Sequence, residues 1–307
     1  MTLAARIDGW WRTPAPAKRL AVLRVLVGGF AVGYVVIRAP NFVSYASFDD
    51  SQFAPVGIAT LLDGPLPGVV LRLLVATTVV VGVAFLAGWR FRVSGPAFAV
   101  LLLALMTYRN AWGQVFHTEN ILMLHVLVLG LSPAADAISL DSRGREVAGD
   151  EARYGWPIRL MCVITVLTYF IAGETKLRIA GLDWITSDSL RNFVAYDNLR
   201  KIELGDTHSP LGGMLVGHAW LFPPLAVATL AVEVGAPLAL LGGRIARIWA
   251  LLAWGFHVGV VAVMAIVFPY SLLGIAFAPF FEVERLPLRL PVRLTRRLAP
   301  GPATRLR

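Results

Sequence analysis

The sequence predicts an all-α membrane protein, a polytopic transmembrane helical bundle of about eight spans. Of its 307 residues, 57% are hydrophobic and only 15% are charged, whereas soluble domains hold about 45–50% apolar and about 25% charged residues. The mean hydropathy is +0.69, because the chain contains repeated apolar runs near the roughly 20 residues that cross a bilayer. Lysine and arginine concentrate between those runs, as membrane topology requires.

The elements follow from those runs in chain order. Segment 1–19 precedes the first run and is expected to lie in the membrane interface, anchored by Ile7, Trp10 and Trp11. A single membrane domain is expected over 20–282, followed by a basic tail, 283–307. The predicted spans are 20–37, 66–88, 94–108, 119–131, 157–176, 221–241, 248–267 and a short eighth segment, 270–281, for which a re-entrant path is the alternative.

The arginines predict the orientation. Most of them lie in the N-terminal segment, in the turns and loops 89–92, 136–154 and 244–247, and in the tail, whereas loop 41–64 has three aspartates and no lysine or arginine. Because basic loops stay in the cytoplasm, both termini are expected there. Loop 41–64 and the long segment 177–220 then lie outside a multi-pass protein of the plasma membrane.

Charge and cysteine content exclude several classes of function. The net charge of +9 follows membrane topology, so nucleic acid is not an expected partner; the lipid bilayer is. The one cysteine, Cys162, lies in an apolar run, which excludes an intrachain disulfide or a paired-thiol redox site. The five histidines lack metal-ligand spacing, and no metal is expected.

Segment 169–178 places charge at the end of an apolar span, with Glu174, Lys176 and Arg178 at the edge of the fifth run. A charged residue costs roughly 2.5–3.5 kcal/mol at the centre of a membrane helix and marks a candidate functional site. Tyr169, Gly173 and Lys176 share one helical face. A lysine withdrawn from water can act as a neutral general base; the alternative is an anchor that reaches to the headgroups.

Other ionisable residues lie in or beside the spans. His117 precedes the fourth span, as a solvated residue beside a helix cap or as the partner of a catalytic group. Glu233 and His257 lie within the sixth and seventh spans, where such residues normally face the interior with a partner. They are assigned to a structural contact or a proton path. Arg24 and Arg72 belong to the same class, and either could neutralise Glu233.

A series of motifs, in the same order along the chain, resembles the membrane domain of vitamin K-dependent γ-carboxylase. Residues 170–177 read Phe-Ile-Ala-Gly-Glu-Thr-Lys-Leu and are followed by Asp183-Trp184. The other stretches that carry the resemblance are 88–94, Trp112 with His117 and Asp141, Phe256-His257, 268–270 and 279–281. The chain departs from that pattern at Thr175, where the carboxylase has a second lysine. It also ends in a basic tail, where the carboxylase continues into a domain that recognises its protein substrate.

The resemblance covers about 18–282 and extends to the wider HTTM (horizontally transferred transmembrane) family. It implies a helical bundle with a quinone-type site on the outer side, and a reduced quinone of the vitamin K or menaquinol type as cofactor. By motif position, Lys176 matches the lysine and His117 the histidine that assist deprotonation of the hydroquinone. The residues that could wall a flat ring are Tyr169, Gly173, Trp112 and Trp184.

Three hypotheses of function follow. The first is a quinol-using enzyme, an epoxidase or lyase of the carboxylase type, with Lys176 as its base. The second is a non-enzymatic membrane factor for peptide export, maturation or immunity, which would bind a peptide or protein at 177–220 and would not need Lys176. The third is a small-solute carrier in which Glu233 and His257 form the proton-coupled pair.

Overall fold

The computed structural model describes residues 2–146 and 149–286, which are almost wholly helical. Its α-helices are α1 (Leu3–Trp11), α2 (Ala17–Ser44), α3 (Gly68–Ala87), α4 (Phe91–Arg109), α5 (Asn120–Gly130), α6 (Ala152–Ala180), α7 (Asp183–Thr186), α8 (Ser189–Glu203), α9 (Pro210–Val216), α10 (Phe222–Val234), α11 (Gly243–Met264) and α12 (Pro269–Leu272). The short strands β1 (Ala15–Pro16) and β2 (Asp150–Glu151) pair antiparallel. Short 3₁₀ turns complete the chain, among them Ala236–Leu241 and Ile275–Phe280.

The predicted class, an all-helical integral membrane protein, is confirmed. By length and composition, α2, α3, α4, α6 and α11 can each cross a membrane, and α9 with the helix that follows it makes a sixth candidate, bent by 104°. Apolar side chains such as Val80 on α3 and Leu251 on α11 are more than half exposed. A surface of this kind suits lipid and not water.

The predicted number of eight spans is not confirmed. The fourth predicted span forms α5, whose 11 residues extend over only about 16 Å of helix, against a hydrocarbon core of about 30 Å. The eighth forms a four-residue helix and a six-residue 3₁₀ turn. Gly274, at φ +76°, and Pro279 interrupt a continuous helix there. Most of the predicted basic tail, 287–307, lies outside the described residues.

Buried Arg24 ties α2 to the segment after α5. Its Nη1 donates to the carbonyl of Ala134 (2.7 Å) and its Nη2 to that of Ile138 (2.5 Å). The suggestion that Arg24 neutralises Glu233 is therefore wrong. Its guanidinium donates to backbone carbonyls instead, and these hydrogen bonds compensate for the burial of its charge.

The N-terminal segment packs where α2 and α6 begin. Trp10 donates from Nε1 to the carbonyl of Leu240 (3.0 Å), and β1 pairs with β2 just before α6. Arg19, in the first turn of α2, donates to both carboxylate oxygens of Glu284 at 2.7 and 2.6 Å. We call this the N-terminal end of the bundle, and the opposite end, where α6 ends, the Lys176 end.

The long segment 177–220 has its own helices, which dock on the end of α11. Ser209 donates to the carbonyl of Ala262 (2.5 Å), Asn198 to that of Val263 (3.1 Å) and Lys201 to that of Met264 (2.5 Å). The last carbonyls of a helix have no partner within it. Here three successive carbonyls are satisfied by side chains from α8 and from the residue before α9.

Helices α4 and α5 approach through glycines, which generates a prediction. A Cβ atom on Gly130 would lie 2.6 Å from the Gly95 carbonyl oxygen, so we expect Gly130→Ala to destabilise the protein by about 1–3 kcal/mol in a thermal melt in detergent. The control is Gly33→Ala in α2, where no neighbour lies within 4 Å and alanine should be neutral or slightly stabilising. Equal melting temperatures for the two variants would contradict this contact.

The Arg19–Glu284 pair predicts a pH dependence of stability. Burial, the largest single influence, raises the pKa of the Glu284 carboxyl. The hydrogen bonds from Arg19 and from the Glu284 backbone amide, together with the charges of Arg19 and Arg285, outweigh it in sum and hold the pKa below its usual value. Its stabilisation is then complete above the pKa of the unfolded chain, about 4.3, and is lost as the pH falls through the folded value. Glu284→Gln should therefore flatten the fall in melting temperature below about pH 5. Glu203→Gln, at an exposed position, should leave that fall unchanged.

Candidate functional site around Lys176

Helix α6 places the predicted residues on one face, as the spacing indicates. Tyr169 and Gly173 are buried, and the side chain of Lys176 keeps 24% of its surface exposed. The helix continues for one more turn to Ala180 and ends at Gly181, whose φ of +58° suits glycine. Lys176 therefore lies within the last turns of a membrane helix, where its stem is packed and its amine can reach the surface.

Gly173 is the point at which α10 crosses α6. A Cβ atom on Gly173 would lie 2.7 Å from the Cβ of Glu233 and 3.0 Å from the backbone nitrogen of Val234. Small residues allow such close approach of membrane helices. The space at Gly173 is thus filled by α10, so Gly173 positions Glu233 and does not itself form the floor of a ring site.

Lys176 and Glu233 form an ion pair one turn above that crossing. The Lys176 Nζ donates to Oε1 of Glu233, whose side chain is only 4% exposed. The ammonium also lies 5.2 Å from the ring centroid of Trp184, within cation–π range. Among the described residues, Oε2 of Glu233 and Nε1 of Trp184 are buried without a hydrogen-bond partner. Two unsatisfied polar atoms thus flank the one amine.

Tyr169 and His257 form a second pair, two turns below Lys176. The Tyr169 hydroxyl and His257 Nε2 are 2.5 Å apart, and the Tyr169 ring packs against the rings of Trp249 and Phe277. Nδ1 of His257 is buried, with no partner in the described part of the chain. Tyr169 is therefore enclosed by aromatic rings and does not present an open wall to a ligand.

Glu233 and His257 do not hydrogen-bond to each other. Each is instead held by a residue of α6, Glu233 by Lys176 and His257 by Tyr169. The prediction that both face the bundle interior with a partner agrees with the structure. The structural contact that the sequence suggests for these two residues is therefore made by each of them with α6 and not between the two.

His117 and Trp112 lie apart from the ion pair. His117 is exposed, and its ring lies 6.1 Å from that of Phe268, which in turn lies 5.0 Å from His257. Within the described residues it makes no hydrogen bond to Lys176. Trp112 stacks on Tyr45 at 5.7 Å, in an aromatic cluster of its own. Of the residues proposed to wall a flat ring, Trp184 alone lies against the Lys176 amine in the structure.

A buried polar cluster at the Lys176 end was not anticipated. Arg109 donates from Nη1 to Glu119 (2.9 Å) and to the hydroxyl of Tyr34 (2.8 Å), which itself donates to Glu119 (2.7 Å). These contacts join α2, α4 and the start of α5. The signal in the sequence was an arginine that ends one apolar run and a glutamate that begins the next.

His125 has a structural role in the core of the bundle. Its Nδ1 lies 2.8 Å from the hydroxyl of Tyr270, and its Nε2 lies near the carbonyl of Met161 (3.1 Å) and the hydroxyl of Thr165 (3.2 Å). Three elements are thereby joined in the core. Over the described residues, no group of three or more His, Cys, Asp and Glu side chains is arranged to hold a metal ion.

The comparison with known families agrees with the motifs. The family model of the HTTM domain matches residues 12–284. The chain belongs to the HTTM family. No curated protein and no solved structure matches this HTTM protein. The match covers every described α-helix from α2 onward, so the Lys176–Glu233 site lies within the family domain. The HTTM family is known for its resemblance to vitamin K-dependent carboxylase.

The arrangement can hold and move one proton. An ammonium beside a carboxylate and an amine beside a carboxylic acid have the same net charge, so the proton can shift between Lys176 and Glu233 without leaving an uncompensated charge in the bundle. In the second form the amine of Lys176 is a free base, and its partial exposure leaves it accessible.

The ion pair predicts a pattern of stability in single and double variants. Lys176→Met leaves Glu233 buried and unpaired, which costs about 3–5 kcal/mol for a fully buried pair and less here, because Lys176 is partly exposed. Lys176→Met/Glu233→Gln should recover most of that loss in a denaturation experiment in detergent. Arg178→Met is the matched control, because it breaks only an exposed contact of 3.7 Å with Glu174 and should change stability little.

Proposed function

We propose that this HTTM protein is a quinol-using membrane enzyme of the carboxylase or epoxidase type, with Lys176 as its general base. The observation that carries the proposal is the amine of Lys176, held between the carboxylate of Glu233 and the face of Trp184 and still partly open to the surface. Ionisable residues within membrane segments mark candidate functional sites. The family resemblance adds the substrate class.

The residues around Lys176 fit a reduced quinone in two respects. A hydroquinone has two hydroxyl groups on a flat ring, and Oε2 of Glu233 and Nε1 of Trp184 are buried polar atoms with no partner among the described residues. The indole of Trp184 also offers a flat face beside the amine. Trp184 and Lys176 would therefore hold the ring, while Tyr169 and His257 support the site from beneath.

In this proposal the bound quinol supplies the reducing electrons and an acidic hydroxyl. Lys176 accepts the proton of that hydroxyl when its own proton rests on Glu233. Glu233 keeps the net charge of the site constant, because it gains the proton that Lys176 gives up. In this proposal His117 lies near the opening of the site, beyond Phe268, and does not hydrogen-bond to Lys176.

We also propose that the chain crosses the plasma membrane eight times, with both termini in the cytoplasm and 41–64 and 177–220 outside. Glu284 pairs with Arg19 at the N-terminal end, whereas Phe268 lies near His117 at the Lys176 end; these two contacts support a return of 269–283 through the bundle. Non-helical backbone is tolerated at membrane depth where protein buries it. Residues 276–279 are buried.

The function is tested by quinol-dependent oxygen consumption and epoxide formation with the purified protein. We expect turnover in the wild type and a loss of at least about 100-fold, the usual contribution of a general base, in Lys176→Arg. Arginine keeps the positive charge beside Glu233 but cannot act as a neutral base. Glu233→Gln should also reduce turnover.

Lys18→Met is the matched control, because Lys18 is exposed at the opposite end of the bundle. It should keep wild-type turnover. Wild-type protein that consumes no oxygen with menaquinol or vitamin K hydroquinone would overturn the proposal. Retention of activity in Lys176→Arg would leave a quinol enzyme but remove Lys176 as its base.

A further inference from the structure

A cavity of about 340 Å³ lies at the N-terminal end of the bundle, remote from Lys176. It lies between α1, the first turns of α6 and the start of α11. Its charged lining consists of Arg19, Arg159, Arg247 and Glu282, and its apolar lining includes Trp10, Cys162 and Phe280. One side of this cavity therefore carries an excess of positive charge, and the other side is apolar.

The charges around the cavity are not balanced. The two hydrogen bonds to Glu284 neutralise Arg19, but Arg247 lies 3.7 Å from Glu282, which also pairs with Arg285 at 2.7 Å. No carboxylate among the described residues lies within ion-pair distance of Arg159. Its guanidinium instead lies 5.0 Å from the ring of Trp10. A positive charge thus remains at the cavity wall, held against an aromatic face.

The start of α11 adds to this preference for an anion. Gly242 and Gly243 line the cavity, so the first turn of a 22-residue helix lies at its wall. The amino end of a helix carries a partial positive charge and free amide groups. Arg159, Arg247 and this helix end therefore surround one small volume.

The apolar part of the lining argues for a lipid. Cys162 and Ile158 continue one face of α6 into the membrane domain, and both are buried. Beside the cavity, α1 carries Trp10 and Trp11, residue types that favour the membrane interface. A small free anion would bind to the arginines but would make no favourable contact with the apolar lining.

We propose that the cavity binds an anionic phospholipid, with its phosphate at Arg159 and Arg247 and the first part of an acyl chain over Cys162 and Phe280. Basic pockets between membrane helices on the cytoplasmic side bind lipid headgroups in this way. The lipid fixes α1 to the bundle, because Trp10 forms part of the same wall. This site is independent of the proposed reaction at Lys176.

The chain contains its own reporter for this site. Cys162 is its one cysteine and lines the cavity, so an occupant slows the reaction of Cys162 with a small thiol reagent. We expect slower labelling in nanodiscs of phosphatidylglycerol than in nanodiscs of phosphatidylcholine, and a phosphatidylglycerol molecule retained on the protein in native mass spectrometry. Equal labelling in the two lipids, with no retained lipid, would overturn the proposal.

Variants separate a specific site from general attraction to negative lipid. Arg159→Gln removes a charged hydrogen-bond donor to the phosphate, so binding should weaken by about tenfold or more. Arg159→Lys should weaken it less. Arg143→Gln removes one charge from an exposed position that does not line the cavity and should bind as the wild type does. Equal losses in Arg143→Gln and Arg159→Gln would overturn the site.

Two further arms complete the test. A thermal melt in phosphatidylcholine shows whether Arg159→Gln is folded; if it is not, the comparison of Arg159→Lys with Arg143→Gln decides in its place. Inorganic phosphate and glycerol phosphate are tested in detergent without lipid. Protection of Cys162 by either, as strong as that by phosphatidylglycerol, would assign the cavity to a soluble phosphate and overturn the lipid assignment.

Discussion

The close crossing of α6 and α10 at Gly173 is the constraint on which the candidate site depends. Because Gly173 has no side chain, the backbone of α10 reaches α6, and Glu233 lies one turn below Lys176. A buried carboxylate is retained only with a partner, and Lys176 supplies it. The same face of α6 holds His257 through Tyr169. One helix thus organises the ionisable residues of two others.

The fold class could be read from the sequence because apolar length and charge placement report directly on the membrane. The short helix of the fourth segment and the interrupted helix of the eighth could not be predicted in the same way, since hydropathy reports composition and not the direction of the backbone. Residues 270–281 are as apolar as a span, yet Gly274 and Pro279 stop a helix there. Burial against other helices, which no local pattern encodes, makes this path possible.

The sequence predicts the individual residues of the candidate site but not which of them pair with each other. Lys176, Glu233 and His257 each stood out as ionisable groups in apolar runs, and the structure holds each with a partner. Which partner each has depends on helix crossings more than fifty residues apart in sequence, for which one chain carries no signal. The same reason explains why Arg24 was assigned to Glu233, and why the Tyr34–Arg109–Glu119 cluster was not predicted.

The docking of α8 on the last carbonyls of α11 joins segment 189–209 to the helix that carries His257. Lys201 holds the carbonyl of Met264, and His257 lies two turns further along the same helix. We therefore expect a displacement of α8 to move the imidazole of His257 as well, because only two turns of one helix separate the two positions.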